Sequence, residues 1–435
     1  MDLIIRRGHI VDPSQGIDFI GSIYIENGLI VKIENTGTTV EPGITRVLDA
    51  SGLYVFPGLV DMHAHLREPG FEYKETIKSG TSAAVKGGFT SVCCMPNTKP
   101  VNDNETVAEF IVKKALSEGF CNVFPIGAIT KRQEGVELAE MGMMKDAGCV
   151  AFSDDGRPVT DSLLMRRALE YSKVFSSPII SHAEDLSLSN NGVMNEGYLS
   201  TTLGLRGIPA ASEVIAIKRD IELAALTGGR LHIAHCSTAG GVRAIREAKR
   251  DGIYVTAETC PHYFHLTEAE TGGYNTAAKV NPPLRTKKDV EAVREGLIDG
   301  TIDVIATDHA PHHRDDKLCE FDRAAFGISG FETAFSLSLA LVKGGLLTLN
   351  QLIEKMTIRP AQILGLSKGS LREGVEADIV IADLNKDFIV DPEQFVSKGK
   401  NTPFNGWRLS GMPVITICKG KVKYHLNNSL MAEGI

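Results

Sequence analysis

Short apolar runs recur eight times along the middle of the chain, and each has the length of a β-strand. They cover residues 59–65, 91–97, 122–128, 149–155, 178–184, 231–237, 254–260 and 303–309. Helix-like stretches lie between most of them, for example at 107–118, 161–175, 211–226 and 240–251. Buried strands that alternate with amphipathic helices indicate an α/β fold with a parallel sheet, and eight such units close into a (β/α)8 TIM barrel. An open doubly wound sheet is the alternative, but no Gly-x-Gly-x-x-Gly motif follows the first run.

The two ends of the chain have a different pattern, in which short β-type segments are separated by turn residues. These segments are residues 3–5, 21–25, 30–33, 377–381 and 414–417. We therefore predict one small β-sandwich-like domain made of residues 1–55 and 366–435, with the barrel of residues 56–365 inserted between its halves. Two unrelated β appendages are the competing layout.

Residues of the types that bind metal ions stand at the ends of several runs. They are His63, His65, Asp155, His182, His235 and Asp308. His63 and His65 are two positions apart, so on a strand both imidazoles point to the same face. Imidazole nitrogens and carboxylate oxygens suit a metal such as zinc. Because the carboxyl ends of barrel strands meet at one mouth, the pattern predicts a metal site there. Each histidine alone is explained equally well as a packed core residue.

Composition sets limits on partners and compartment. The chain has 435 residues, of which 43% are hydrophobic and 23% charged, as in ordinary globular proteins. The net charge of −8 argues against nucleic acid as a main partner, although not against an anionic substrate. The eight cysteines form no Cys-x-x-Cys pair, so we expect free thiols in a reducing cytoplasm. No signal-peptide pattern and no apolar run of roughly 20 residues occurs, so we expect no membrane association.

Two motifs resemble those of a known family. Residues 61–67, Asp-Met-His-Ala-His-Leu-Arg, resemble the opening signature of the cyclic amidohydrolases. Residues 306–312, Ala-Thr-Asp-His-Ala-Pro-His, with Lys317 five residues further on, resemble the second signature of the dihydroorotases, and the glycine-rich segment 326–333 follows as in that group. The resemblance is to dihydroorotases of class I and covers the whole chain. It implies a zinc-dependent hydrolase that interconverts N-carbamoyl-L-aspartate and L-dihydroorotate in pyrimidine biosynthesis.

The resemblance also implies how the ligands are used. Many relatives have a carboxylated lysine after the fourth strand, where it bridges two metal ions, but this chain has Asp154 and Asp155. We choose Asp155 because of its spacing to His182 in similar chains. An aspartate has a shorter reach, so the number of zinc ions, one or two, stays open. At the sixth strand His232 competes with His235, but it lies one pleat earlier and is expected to lie deeper.

The chemistry of cyclic-amide hydrolysis gives Asp308 a role. Bound zinc lowers the pKa of its water from about 15.7 to about 7. A carboxylate beside the metal must then accept a proton and pass it to the leaving nitrogen. Asp308 ends the eighth run, so we expect it to be the catalytic residue as well as a ligand. A helix cap or surface turn is the alternative.

The implied substrate contacts are His65, Arg67, Asn97, Asn281, His312, Phe326 and Gly327. A guanidinium such as that of Arg67 binds a carboxylate with two hydrogen bonds, although a surface ion pair is the alternative. Both asparagines lie beside prolines, where asparagine is also a common turn former. The loop after the eighth strand could close over the site as a lid. We expect His312 to contact the substrate and not the metal.

Two other functions are compatible with parts of the sequence pattern. Another cyclic amidohydrolase, such as a dihydropyrimidinase, hydantoinase or allantoinase, is the nearest rival. A catalytically inactive assembly subunit is the other, but such proteins lose metal ligands and this chain keeps all the predicted ones. We expect a homodimer or larger assembly. Relatives sometimes associate with aspartate transcarbamoylase.

Overall fold

The computed structural model describes residues 2–35 and 46–426. Its strands are β1 (Leu3–Asp12), β2 (Ile17–Glu26), β3 (Leu29–Asn35), β4 (Val47–Asp49), β5 (Tyr54–Pro57), β6 (Leu59–Ala64), β7 (Phe89–Cys94), β8 (Asn122–Gly127), β9 (Ala151–Ser153), β10 (Ile179–Ser181), β11 (Met194–Asn195), β12 (Gly207–Ile208), β13 (Leu231–Ile233), β14 (Val255–Thr259), β15 (Val304–Ile305), β16 (Ile379–Ile389), β17 (Arg408–Cys418) and β18 (Lys421–His425).

The helices lie mostly between the strands of the central part of the chain. They are α1 (Ile77–Lys86), α2 (Glu105–Glu118), α3 (Met141–Asp146), α4 (Ser162–Ser172), α5 (Leu186–Ser189), α6 (Tyr198–Leu203), α7 (Ala210–Thr227), α8 (Ala239–Arg250), α9 (Pro261–His265), α10 (Lys287–Ile298), α11 (Arg314–Lys317), α12 (Phe331–Lys343), α13 (Leu349–Met356) and α14 (Ile358–Leu364). Short 3₁₀ turns lie at Lys131–Gln133, Lys173–Phe175, Glu268–Tyr274, Thr276–Ala278 and Pro392–Gln394.

Parallel strands form the predicted barrel. They pair in the order β6-β7-β8-β9-β10-β13-β14-β15, and each overlaps the run that predicted it. The ring closes where Ala64 pairs with His309, and the His65 N–H donates to the His309 carbonyl at 2.8 Å. The (β/α)8 prediction is therefore confirmed, and the open doubly wound alternative is wrong. Closure brings the carboxyl ends of the first and last strands side by side.

Local sequence signals fix where the helices begin. The Thr238 hydroxyl accepts a hydrogen bond from the Gly241 N–H at 3.1 Å and caps α8. Glu213, on α7, accepts the backbone N–H groups of Ser237 and Thr238. These bonds hold the short segment between β13 and α8, which carries His235.

Strands from both ends of the chain share a second sheet. Its order is β18-β17-β16-β5-β1-β2-β3, with β4 pairing β1. Isoleucines on the strands from both ends, including Ile5, Ile23, Ile379 and Ile417, are buried in one apolar cluster beside it. The prediction of one unit made from both termini is thus confirmed over two separate appendages. The division at residues 55 and 366 stays a prediction.

Within residues 2–35 and 46–426, none of the helices combines the length and apolar character that crossing a bilayer requires. The eight cysteines have free thiols, and all except Cys319 are buried.

Candidate active site

The predicted metal ligands meet at the carboxyl ends of the barrel strands, and all are buried. Each lies on a different strand end except the first two, which share β6 and the residue after it. They are His63, His65, Asp155, His182, His235 and Asp308. The chain positions are far apart, so only closure of the barrel brings these side chains together.

The carboxylate of Asp155 lies at the centre of this cluster. Its Oδ1 lies 3.5 Å from His63 Nε2, 3.4 Å from His182 Nδ1 and 3.5 Å from His235 Nε2, while its Oδ2 lies 3.6 Å from His65 Nε2. Asp155 therefore belongs to two candidate ligand groups. One contains His63 and His65, and the other contains His182 and His235.

Asp308 lies on one side of this arrangement. Its Oδ1 is 3.1 Å from His65 Nε2 and 3.6 Å from His63 Nε2. The carboxylate thus adjoins the group that contains the two histidines of the first strand. It also lines the cavity above the cluster.

The donor atoms of the cluster fit a metal ion. Ligand atoms around a tetrahedral zinc at about 2.0 Å lie about 3.3 Å from one another, and the contacts between donor atoms here range from 2.9 Å, between His182 Nδ1 and His235 Nε2, to 3.6 Å. His63 Nε2 and Asp155 Oδ1 are buried and have no hydrogen-bond partner among the described residues. Unsatisfied buried polar atoms are costly, and a divalent cation between them would satisfy both.

The electrostatics of the cluster point the same way. Burial alone would lower the pKa of His63, but Glu258, Asp155 and Asp308 outweigh it and raise that pKa well above its ordinary value. Asp155 and Glu184 likewise overcome burial and raise the pKa of His182 to about 10. The neighbouring imidazoles hold the pKa of Asp155 well below its usual range, although burial opposes this. The site therefore attracts positive charge, supplied either by protons or by a metal ion.

The two competing ligands have other roles. Asp154 accepts hydrogen bonds from the backbone N–H groups of Ile129 and Thr130, at 2.8 and 3.1 Å, and from the Thr130 hydroxyl. It fastens the loop after β8, and burial raises its pKa to about 6. His232 points into the strand layer, with Nδ1 2.8 Å from Thr256 Oγ1. The structure thus turns Asp155 and His235 toward the cluster and these neighbours away from it.

A cavity of about 150 Å³ opens above the cluster. Of the predicted substrate contacts, all except His312 line it. Its walls are His65, Arg67, Asn97, Asp155, Gly156, His182, His235, Val280, Asn281, Asp308, Ala310, Phe326 and Gly327. Among these described lining residues, Arg67 alone has a permanent positive charge. Burial lowers the pKa of Arg67 to about 10, so the guanidinium stays charged at neutral pH.

His312 lies behind Arg67 and does not line the cavity. Its Nε2 lies 2.7 Å from the Phe326 carbonyl oxygen, and its Nδ1 lies 3.2 Å from Lys74 Nζ. Burial, with help from Arg67 and Lys74, depresses the pKa of His312 far below its ordinary value, so the ring is neutral. Nε2–H then donates to Phe326 and Nδ1 accepts from Lys74. Substrate contact by His312 stays a prediction.

Both predicted asparagines face the ligands. Asn97 Oδ1 lies 2.9 Å from His65 Nδ1, and its Nδ2 lies 3.5 Å from Asp155 Oδ2. Asn281 Nδ2 lies 3.0 Å from Glu184 Oε2. Both side-chain amides therefore contact the site, although the neighbouring prolines suggested turn-forming asparagines.

Three acidic residues that were not among the predicted site residues support the ligands. Asp61 accepts the backbone N–H groups of Thr307 and His63 at 3.1 and 3.2 Å, which ties β6 to the end of β15. Glu258 contacts His63, and Glu184 contacts the imidazole of the fifth strand. Signals existed for both glutamates. Glu258 is an acidic residue within an apolar run, and Glu184 follows its histidine by two positions, on the same side of the strand.

Three site residues have left-handed backbone conformations. Arg67, His235 and Asp308 have φ angles of 64°, 34° and 45°. Such angles are uncommon outside glycine and cost free energy unless the surrounding structure imposes them. Here the turns after the strands aim each side chain at the barrel mouth.

Comparisons with known proteins agree with this geometry. The model of the family described as dihydro-orotase-like matches residues 52–240, and that of the amidohydrolase family matches residues 210–424. A dihydroorotase of Geobacter metallireducens is 56% identical over 98% of this chain and all of its own length. A dihydroorotase of Acetivibrio thermocellus is 55% identical and covers 97% of this chain and 98% of its own.

Solved structures share the fold. An L-hydantoinase (dihydropyrimidinase) from Arthrobacter aurescens superposes with a TM-score of 0.89 at 27% identity, covering 99% of this chain and 98% of its own. A dihydropyrimidinase from Brevibacillus agri superposes with a TM-score of 0.85 at 23% identity, over 98% and 95% of the two chains. The second comparison bears on the fold alone.

Replacing Asp155 by Ala should remove most bound metal, because both ligand groups share this carboxylate. Asp154→Asn should retain the metal and lower thermal stability, because Asp154 holds the loop after β8. Metal analysis and thermal unfolding of the two variants make the measurement. Equal metal content in both variants would contradict the assignment of Asp155.

Metal affinity should rise with pH. The pKa of His182 is raised to about 10, so in the metal-free chain this imidazole is protonated between pH 6 and 9 and must lose its proton on binding. Each displaced proton strengthens binding about tenfold per pH unit. Titration with Zn²⁺ against a chelator of known pH dependence tests this. A constant affinity from pH 6 to 8 would show that no proton is displaced.

Proposed function

The chain belongs to the dihydroorotase family of the amidohydrolases, and we propose that its barrel mouth catalyses the reversible cyclisation of N-carbamoyl-L-aspartate to L-dihydroorotate plus water in pyrimidine biosynthesis. The observation that carries the proposal is the placement of one guanidinium, Arg67, in a cavity whose floor is the ligand cluster. The guanidinium of Arg67 suits a ring that bears a carboxylate. The ligand cluster suits hydrolysis of an amide.

We propose zinc as the metal, in two positions. His63, His65 and Asp155, with Asp308 beside them, would hold one ion, and Asp155 would share a second with the histidines of the fifth and sixth strands. When bound, zinc acts as a Lewis acid toward the amide carbonyl and lowers the pKa of the attacking water. The nitrogen and oxygen donors and their spacing support this choice.

We propose that Asp308 moves the proton. In the hydrolytic direction its carboxylate accepts a proton from the attacking water and delivers it to the ring nitrogen as the carbon–nitrogen bond breaks. Cyclisation uses the same steps in reverse. The nearby imidazoles overcome burial and lower the pKa of Asp308, so it is ionised and ready to accept a proton at neutral pH.

The walls of the cavity would orient the substrate. Arg67 would bind the ring carboxylate, while its Nε donates to the Pro311 carbonyl at 3.2 Å and its Nη2 lies 3.2 Å from His312 Nε2, contacts that hold the guanidinium in the wall. Asn97 and Asn281 would contact the polar edge of the ring from two other strand ends. Phe326 and Gly327 would close the remaining side, where only a glycine allows the backbone φ of 145°.

The two rival functions account for less. The hydantoinase and dihydropyrimidinase structures compared above are 27% identical or less, whereas dihydroorotases reach 57% over nearly the whole chain. Rings without a carboxylate give Arg67 no partner in the cavity. The inactive-subunit reading conflicts with a cluster that brings together every predicted ligand.

We propose that the protein works in the cytoplasm as part of a larger assembly. The free thiols and their burial support a reducing cytoplasm. A homodimer or larger assembly, and association with aspartate transcarbamoylase, rest on the family resemblance. Light scattering of the purified chain, alone and mixed with aspartate transcarbamoylase, tests both.

Arg67→Met should remove the preference for acidic substrate. Dihydroorotate and dihydrouracil differ by the carboxylate that Arg67 would bind. Deleting one partner of a buried charged pair costs about 2–5 kcal/mol, or roughly 30- to 4,000-fold in kcat/KM. The measurement is kcat/KM of the zinc-loaded wild type and variant for both compounds. An unchanged ratio in the variant would assign the carboxylate to another residue, and a wild type that prefers dihydrouracil, hydantoin or allantoin would overturn the proposed function.

Asp308→Asn should bind zinc but lose turnover. The amide keeps an oxygen beside the metal position and cannot accept a proton, so kcat should fall by about 10²–10⁴-fold. Metal content measured on the same preparation is the control. A variant with full metal and near-wild-type kcat would show that Asp308 is not the base.

A further inference from the structure

Glu258 holds His63 from the side opposite the cavity. Its Oε1 lies 2.5 Å from His63 Nδ1, and its Oε2 lies 3.3 Å from His232 Nε2. The glutamate is fully buried in β14 and does not line the cavity. When Nδ1–H donates to this carboxylate, the Nε2 lone pair of His63 faces Asp155 and Asp308. Glu258 therefore selects the tautomer and the ring orientation that a metal ligand needs.

Glu184 orients the His182 ring in the same way, except that Nε2 contacts the glutamate and Nδ1 faces the cluster. Its Oε2 lies 3.0 Å from His182 Nε2, and Nδ1 of that ring faces Asp155 Oδ1 at 3.4 Å. Donation from Nε2–H leaves Nδ1 as the metal-binding nitrogen. The same Glu184 oxygen also accepts from Asn281 Nδ2 at 3.0 Å, so this carboxylate touches a cavity wall as well.

The other two histidines have no such partner. His65 Nδ1 contacts the neutral amide of Asn97 at 2.9 Å. His235 Nδ1 is buried and has no hydrogen-bond partner among the described residues. Each of the two ligand groups thus contains one imidazole oriented by a carboxylate, and the two carboxylates lie on different strand ends.

We propose that Glu258 and Glu184 are positioning residues that separately set the affinities of the two metal positions. Glu258 acts through His63 on the position that His63, His65 and Asp155 form. Glu184 acts through His182 on the position that Asp155 forms with His182 and His235. The inference rests on the metal centre of the proposed function and adds that each metal position depends on a different glutamate.

Loss of such a partner weakens metal binding by about 10- to 100-fold. The test uses the full chain stripped of metal and titrated with Co²⁺, whose visible absorption reports the geometry at each position, with metal analysis giving the stoichiometry. Two backgrounds isolate the positions. His235→Ala disables the second position and leaves the first, whereas His65→Ala disables the first and leaves the second.

Opposite effects are expected in the two backgrounds. In His235→Ala, Glu258→Gln should weaken Co²⁺ binding by about 10- to 100-fold, and Glu184→Gln should leave it nearly unchanged. In His65→Ala, Glu184→Gln should weaken Co²⁺ binding by about 10- to 100-fold, and Glu258→Gln should leave it nearly unchanged. Each variant is thus the matched control of the other, because both remove one negative charge from beside the same cluster.

Asn281→Ala separates the second contact of Glu184. It removes an amide nitrogen that donates to Glu184 Oε2 at 3.0 Å and lies 3.4 Å from His182 Nε2, but it leaves the bond between Glu184 and His182. This variant should raise KM for dihydroorotate without changing Co²⁺ affinity. Co²⁺ binding weakened in Asn281→Ala as much as in Glu184→Gln would mean that the amide of Asn281 orients His182, against the role inferred for Glu184.

Folding is checked by circular dichroism and thermal unfolding. If Glu258→Gln does not fold, Glu258→Asp makes the same test, because it keeps the charge but withdraws the carboxylate from His63. Equal weakening in both backgrounds, or none in either, would overturn the inference. The proposed function would still stand if the wild type binds metal and turns over dihydroorotate. A wild type that binds neither Co²⁺ nor Zn²⁺ would overturn both.

Discussion

The contact between one carboxylate and four imidazoles is the constraint on which the barrel mouth depends. Asp155 lies within 3.6 Å of ring nitrogens from His63, His65, His182 and His235. So many charged and polar atoms can be buried together only if positive charge is supplied among them. Protons supply it in the metal-free chain, and a divalent ion would supply it more strongly. The remaining features of the site either hold these groups in place or use the field they create.

Closure of the barrel makes that contact possible. The first and last strands are joined by backbone pairing at Ala64 and His309, and Asp61 reinforces the seam through the backbone of Thr307. Burial raises the pKa of Asp61 to about 7 against these hydrogen bonds, so its charge depends on them. The seam lies directly beneath Asp308, which places the proposed base beside the histidines of the first strand. Folding and catalysis therefore share the same few hydrogen bonds.

The groups proposed to bind the substrate and those proposed to break its amide bond lie in different parts of the cavity. Acidic and imidazole groups form its floor, whereas Arg67 introduces the permanent positive charge on its wall. Neutral His312 braces this wall without competing for an anion, because Phe326 and Lys74 occupy both of its ring nitrogens. A substrate carboxylate would be drawn to the wall, which presents the ring amide to the floor.

The barrel, the shared terminal sheet and most of the side chains that meet at the candidate site could be predicted from the sequence. Strand-length apolar runs and their polar ends are local signals, and the spacing of His63 and His65 places both on one face. Local signals in the sequence do not give the direction of a side chain or the contacts between distant strands, and the tertiary structure supplies both. It chose Asp155 over Asp154 through the direction of each side chain, and it brought Glu258 behind His63 from a distant strand. These outcomes depend on pairing between strands far apart in the chain, and on backbone angles that the surrounding packing imposes.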